Sequence, residues 1–386
     1  MTAKRSPGSL RSNLTGNVNA PLIPASDCRT WQLEPDPPRK LPDLPNGEVS
    51  GQLYRILVEA GVALTPAASV YDPRAQFAAR RYYDVLAQNT DELAEADWWN
   101  RATPRAKGLV SEEFGIGVAW YLLKEFLRVK HISDIVPLLE CGLLDYTGRK
   151  APKDLSRPDY LCLRSDGKVF IAEVKGRTHD SGALRSAVKD GIKQLHDVRM
   201  PDLKVDRQCG RLVVATAFHV EGRSGCKPTT TKVKCYYKWN KAISRAQTCL
   251  LFPSYAKTFR YAGASALASY LMRSQIASQR FRGWQQMKAC TWAGQELVPL
   301  GRGPLGSQVL IPKHVLAALL LDRETASEEF FLGDRLTVDV PEDAKGSFCM
   351  PNGVVFCHPE EVPSEWNERL EVWSGFWSEH APREGA

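Results

Sequence analysis

The sequence predicts a mixed α/β fold, in which a mixed central sheet is flanked by helices. A helical region precedes this sheet and a second mixed α/β region follows it. Three observations carry the prediction. Phe114, Val118, Leu122 and Phe126 keep helical spacing. Two short apolar runs, Asp159 to Leu163 and Lys168 to Lys175, flank the turn signal Ser165-Asp166-Gly167. An amphipathic stretch from Ala183 to Val198, striped by Leu184, Val188, Ile192 and Leu195, leads to Leu212-Val213-Val214-Ala215, which suits a buried strand. Helix, strands, helix and strand in that order build a mixed sheet.

Taken in order, residues 1–51 are rich in Pro, Ser, Asn and Gly, and five prolines crowd the stretch from Pro35 to Pro45. That composition predicts a disordered or loosely attached arm. Helical patterning starts near Gln52 with Leu53, Ile56, Leu57 and Ala60. A second helix is expected over Pro73 to Gln88, completing a helical N-terminal region over 52–107. Trp98 and Trp99 follow it and are expected to pack a seam between regions. Ser111 is placed to cap the next helix, with Glu112 and Glu113 in the first turn, where the helix dipole favours negative charge. The apolar stretch from Val129 to Tyr146, broken by Pro137 and Gly142, is expected to hold the first strand of the sheet. The central domain is drawn over 108–260 and a C-terminal domain, acidic toward its end, over 261–386. A helix is expected there over Ala264 to Ser278.

A chain of 386 residues can form several domains and a sizeable core, and its 43% hydrophobic and 25% charged content is ordinary for a globular protein. Ten cysteines without a C-x-x-C pair speak against a zinc ribbon or a disulfide framework. With no apolar leader and no run long enough to span a membrane, a cytoplasmic protein with no membrane partner is expected. The net charge is +7, unevenly spread. No Asp or Glu occurs from Gly222 to Gln295, where 13 Lys or Arg fall. From Asp322 to the C-terminus 15 acidic residues face 5 basic ones.

The run Lys168 to Lys175 carries the chemistry. Residues two apart on a strand share a face, so Glu173 and Lys175 point one way and Val174 the other. Apolar residues on both faces make this a central strand, where a carboxylate and an ammonium are costly to bury without a task. A two-residue loop, Asp166-Gly167, would put Asp159 opposite Val174. A three-residue loop, Ser165-Asp166-Gly167, pairs Arg164 with Lys168 and sets Asp159 opposite Glu173. The second arrangement needs Gly167 in the left-handed region, a role that suits glycine. Cβ atoms across such a pair lie about 5 Å apart, close enough for both carboxylates to share a cation. Hard oxygen ligands with no His or Cys beside them favour Mg²⁺, with Mn²⁺ as a substitute.

Pro158-Asp159 followed by Glu173-Val174-Lys175-Gly176 at the end of an apolar strand resembles the motif of the PD-(D/E)xK nucleases. The resemblance covers roughly Leu109 to Val220 and implies a restriction-endonuclease-like fold and Mg²⁺-dependent hydrolysis of phosphodiester bonds. It implies Asp159, Glu173 and Lys175 as catalytic residues, and Asp159, Glu173 and the backbone of Val174 as metal ligands. An acidic residue of the preceding helix, Glu112 or Glu113, would complete the metal set. Glu112 is preferred, because Gly115, Ile116 and Ala119 share its helix face and allow close packing on the sheet. Gln194, on the following helix, would face the site.

Two groups of residues are expected to contact nucleic acid, with DNA favoured over RNA. Arg185, Lys189 and Lys193 recur every four residues on the helix after the motif, either as a plain solvated face or as a phosphate-tracking stripe. Lys232, Lys234, Tyr236 and Lys238 share one face of an alternating segment ending at Trp239. A lysine-rich strand face also guards against aggregation; the missing carboxylates around it favour a polyanion. The acid-free stretch would then carry most of the affinity, with Glu324, Glu328, Glu329, Glu342 and Asp343 as an internal brake on it. The expected role is an endonuclease in restriction, repair or defence against foreign DNA. The alternatives are a non-catalytic nucleic-acid-binding module and a partner-dependent subunit; a homodimer or a protein partner is compatible with either charge surface.

Overall fold

The central hairpin is built as the three-residue loop requires. In the computed structural model β5 (Tyr160–Arg164) pairs antiparallel with β6 (Lys168–Thr178), Tyr160 facing Ala172 and Leu163 facing Val169. Gly167 has φ 77°, and its N–H donates to the Arg164 carbonyl at 3.1 Å. The structure describes residues 27–35, 43–66, 82–140 (apart from 84 and 87–89), 144–146, 157–178, 181–195, 198–199, 210–218, 225–232, 237–238, 250–273, and 289–359 apart from 293, 303–306, 322–335, 337, 341–343 and 345.

The hairpin sits inside an eight-stranded mixed sheet. Besides β5 and β6 it contains β1 (Cys28–Leu33), β2 (Gly47–Gln52), β3 (Val129–Asp134), β8 (Gly210–Phe218), β9 (Gly225–Lys232) and β10 (Tyr237–Lys238). The order is β2-β1-β9-β8-β6-β5-β3, and β10 pairs with the start of β6. β6 runs parallel to β8 from Phe170 to Thr178. The alternation along β6 divides the core. Phe170, Ala172 and Val174 join a large cluster containing α1 (Leu53–Leu64) and α2 (Pro104–Glu125). Val169 and Ile171 join a second cluster under α4 (Ser181–Leu195), with Ala187, Val188, Leu195 and Val213. The predicted stripe of that helix is its buried face.

Glycines let α2 lie close on the sheet. A Cβ at Gly115 would come to 2.9 Å from Gly176 Cα, and one at Gly176 would run into the Ser111 carbonyl and stand 2.6 Å from Glu112 Cα. Backbone cannot yield as a flexible side chain can. Gly176→Ala is therefore expected to destabilise the protein by about 1–3 kcal/mol, the usual cost of overpacking. A denaturant midpoint unchanged from the parent would refute this packing.

Between β3 and β5 lie the short α3 (Ile135–Glu140) and β4 (Asp145–Tyr146), which pairs with β7 (Val198–Arg199). The helices α5 (Phe252–Tyr261) and α6 (Ser265–Arg273) lead to a five-stranded antiparallel sheet. It comprises β11 (Cys290–Trp292), β12 (Gln295–Arg302), β13 (Gln308–Pro312), β14 (Phe348–Cys349) and β15 (Val355–Cys357), with α7 (Lys313–Leu321) following β13. Val298, Val309, Phe259 and Leu267 share the large cluster with α1, so the N- and C-terminal parts join one core. No described helix is long and apolar enough to cross a membrane.

Several expectations are corrected. The arm is not loose throughout, because β1 and β2 pair along six residues each and add to the edge of the sheet. Its polar composition suits an edge, where only one side of the strand is covered. Ser111 does not open a helix. α2 starts seven residues earlier at Pro104, with Thr103 as cap accepting from the Ala106 N–H at 3.3 Å. Glu112 and Glu113 thus lie inside the helix, away from its dipole. Trp99 packs on the large cluster, but Trp98 is 56% exposed and fills no seam. The helix expected over Pro73 to Gln88 lies mostly outside the described residues, and the five residues of the acidic cluster lie outside them altogether. Lys232 and Lys238 belong to two strands with different partners, β9 on β8 and β10 on β6. The acid-free stretch is in part core: Lys257 and Arg260 are buried, and Lys257 Nζ pairs with Asp134 Oδ1 at 2.6 Å.

Candidate active site

β5 begins at Tyr160, opposite Ala172, while β6 continues to Thr178. This leaves a notch where the side of β6 beyond Ala172 loses its antiparallel partner. Asp159 stands at the notch. Its Oδ2 accepts the Val174 N–H at 2.8 Å, and its own carbonyl accepts the Ile135 N–H at 3.0 Å. The carboxylate thus replaces the ladder bond that a longer β5 would have made. The N–H and carbonyl of one strand residue point to the same side, so the Val174 carbonyl also faces the notch.

Glu173 is on the α4 side of the sheet and has no exposed surface. Helix α4 comes close there because residue 191 is glycine, and a Cβ at that position would stand 3.2 Å from Glu173 Cγ. Lys175 Nζ forms an ion pair with Glu173 Oε1, its side chain 19% exposed. Hydrogen bonds with Lys175 and Asp159 also bear on the Glu173 carboxyl. The site therefore holds a desolvated carboxylate beside a second carboxylate and a cation.

The electrostatics follow from this burial. Desolvation pushes Glu173 up to about 8, the Asp159 charge adds to the rise, and Lys175 opposes it. Asp159 is also raised, first by desolvation and also by the Glu112 charge. The Val174 N–H and Lys175 act in the other direction. Carboxylates that hold protons this firmly are favoured as anions only when a further positive charge arrives.

The other expected residues are placed as follows. Glu112 is exposed, on the helix covering the Gly176 face, and reaches Asp159 through its charge. It lies across the sheet from Glu173. Glu113 hydrogen-bonds Tyr82 Oη instead. Gln194 Nε2 donates to the Arg157 carbonyl at 3.2 Å, which braces the segment entering Asp159 without touching the acids. Among the described residues no group of three or more His, Cys, Asp or Glu side chains forms a metal-ligand set. Two carboxylates, Asp159 and Glu173, converge, and a third does not. Arg185 and Lys189 are exposed on α4, and Lys193 pairs with Asp190 at 3.4 Å. Lys234 and Tyr236 lie outside the described residues, and Lys232 and Lys238 are described as backbone.

Sequence reading missed Arg177. It follows Glu173 and Lys175 at the same two-residue spacing on a strand that runs to Thr178, so it shares their face. The same alternation that paired Glu173 with Lys175 would have found it, had the strand not been ended at Lys175. No family model matches the chain, and no curated protein and no solved structure matches it either.

Proposed function

We propose that the protein is a metal-dependent nuclease of the PD-(D/E)xK type, with a restriction-endonuclease-like core and nucleic acid, DNA before RNA, as its substrate. The observation that carries this reading is the buried Glu173. It has no exposed surface on a central strand, is ion-paired with Lys175, and feels the charge of a second carboxylate, Asp159. A purely structural ion pair would gain nothing from a second buried carboxylate, whose charge opposes the first.

Asp159, Glu173 and the Val174 carbonyl would hold a Mg²⁺ or Mn²⁺ ion. Such an ion needs only one or two carboxylates, with water and substrate phosphate completing its shell. When bound, it supplies Lewis-acid charge at the phosphoryl group and lowers the pKa of an attacking water. The chain's residues do the rest. Asp159 is fixed by the Val174 N–H, so its second oxygen stays directed into the notch. Lys175 keeps an ammonium at the mouth of the site, where it can donate to a phosphate oxygen or orient a water. Arg177, next along the same face, adds charge where the substrate backbone would lie. Restriction, repair or defence against foreign DNA is the role proposed with this activity.

The test is incubation of the purified protein with plasmid, single-stranded DNA and RNA, each in Mg²⁺, Mn²⁺ and EDTA. Cleavage of at least one substrate in Mg²⁺ or Mn²⁺, and none in EDTA, is the expected result. Binding without cleavage in any metal would make the chain a binding module, and cleavage in EDTA would place the chemistry elsewhere.

A further inference from the structure

The start of α2 is largely exposed. The helix runs antiparallel to β6. Trp120 stacks edge-on against Tyr160 with ring centroids 5.4 Å apart, and Gly115 sits on Gly176. Moving from Trp120 to Gly115 follows β6 from Ala172, the partner of Tyr160, to Gly176. Ser111 still lies on Gly176, and beyond it two residues of β6 remain, about 7 Å, whereas the helix continues for seven, about 10 Å. Its first turn therefore reaches past the carboxyl end of β6, the end whose other face carries Lys175 and Arg177. There Pro104, Arg105, Gly108 and Leu109 are all exposed.

The 3-10 turn Asp97–Arg101 leads directly into this overhang. Trp98 is 56% exposed, and its ring stands edge-on to Trp99 with centroids 5.4 Å apart. Trp99 is anchored in the large core, so the exposed indole is mounted on a fixed base. Arg101, three residues on in the same 3-10 turn, and Arg105, in the first turn of α2, are exposed too, and no Asp or Glu occurs between Asp97 and Glu112 in the sequence. An exposed flat aromatic followed within seven residues by two exposed arginines, in a segment of fourteen residues without Asp or Glu, suits an unpaired base and its phosphates. It does not match duplex, whose base faces are covered by stacking. An apolar protein partner would not call for the two arginines.

We propose that Trp98, Arg101 and Arg105 form a grip for a single-stranded segment of nucleic acid, with Trp98 stacking on a base and the two arginines holding adjacent phosphates. The grip rests on the nuclease reading for its purpose, which is to lead an unpaired strand round the carboxyl end of β6 toward Lys175 and Asp159. Its binding does not depend on that reading.

The experiment measures fluorescence anisotropy of the full chain with labelled oligothymidylate and with a duplex of the same length, in EDTA and at several salt concentrations. Trp98→Ala is expected to weaken oligothymidylate binding roughly tenfold or more, while Trp98→Phe retains most of it and duplex binding changes by less than about twofold. Arg101→Gln with Arg105→Gln is expected to reduce the slope of log K against log salt by about 1.4 on the single strand. Equal losses on single strand and duplex, no loss with Trp98→Ala, or no binding of oligothymidylate by the parent protein would each overturn the grip. Because the assay excludes metal, absence of cleavage in Mg²⁺ alongside a Trp98-dependent affinity would remove the nuclease reading and leave the grip standing. Cleavage with no Trp98 effect would do the reverse.

Discussion

Lys175→Ala is expected to reduce phosphodiester cleavage by about a thousandfold or more, while nucleic-acid binding stays within about threefold of the parent. The effect is large because one truncation removes two things. The ammonium itself is lost from the mouth of the site. Glu173 also loses the cation that opposes its burial and the Asp159 charge, so it holds its proton more firmly and becomes a poorer anion. The fold is expected to survive, since a protonated Glu173 relieves the charge left behind. Asp159→Ala should cut cleavage as far and add a modest loss of stability, because the Val174 N–H then has no acceptor at the notch. Single-turnover cleavage in Mg²⁺, thermal unfolding and anisotropy binding separate these effects. Cleavage by either variant within about tenfold of the parent would remove Asp159 and Lys175 from the chemistry.

What the sequence made legible was local. The turn residues Ser165, Asp166 and Gly167 admitted two registers, and only the longer loop put two carboxylates on one face. Gly167 alone could take the required φ without strain, and that loop is present. The amphipathic stripe of α4 was equally readable, since one face of that helix meets the sheet and the other meets water. The body of α2 was readable too, since Phe114, Val118 and Leu122 recur at helical spacing and are buried, but its beginning was not. Its start was assigned to Ser111, although Thr103-Pro104 carries both a cap and the residue suited to a first helical position.

The edge strands were hidden for the opposite reason. β1 and β2 lie at the border of the sheet, and the residues flanking them are polar and rich in proline. Composition was read across the whole arm, and it masked two six-residue strands. Charge counting failed in a related way. Lys257 contributes to the acid-free stretch in sequence, yet it is buried, paired with Asp134 and set near the rings of Trp120 and Tyr160. Sequence distance also concealed that Glu112 and Glu173 lie on opposite faces of β6. The close packing expected beside Glu112 is present, with Gly115 on Gly176, and from that face its charge still bears on Asp159.

In metal-free buffer the stability of the parent protein is expected to fall between about pH 4.5 and pH 8, and Glu173→Gln to flatten that fall. The sign follows from the direction of the shift. Glu173 releases its proton near 4.5 in an unfolded chain and near 8 when folded. Between those values the folded state holds a proton that the unfolded state has given up, so each rise in pH favours unfolding. A shift of this size corresponds to at most about 5 kcal/mol, and sharing of charge with Asp159 and Lys175 reduces it. Glu95, raised to about 7 by desolvation, contributes in the same window. The comparison of Glu173→Gln with the parent, rather than the parent's profile alone, therefore isolates the site. Melting temperatures at pH 5 and pH 8 in EDTA provide the measurement. The parent should lose several degrees more than the Gln variant, and adding Mg²⁺ at pH 8 should restore stability to the parent alone. A Gln variant with the same pH dependence as the parent would show that Glu173 is not the strained carboxylate on which the proposed activity depends.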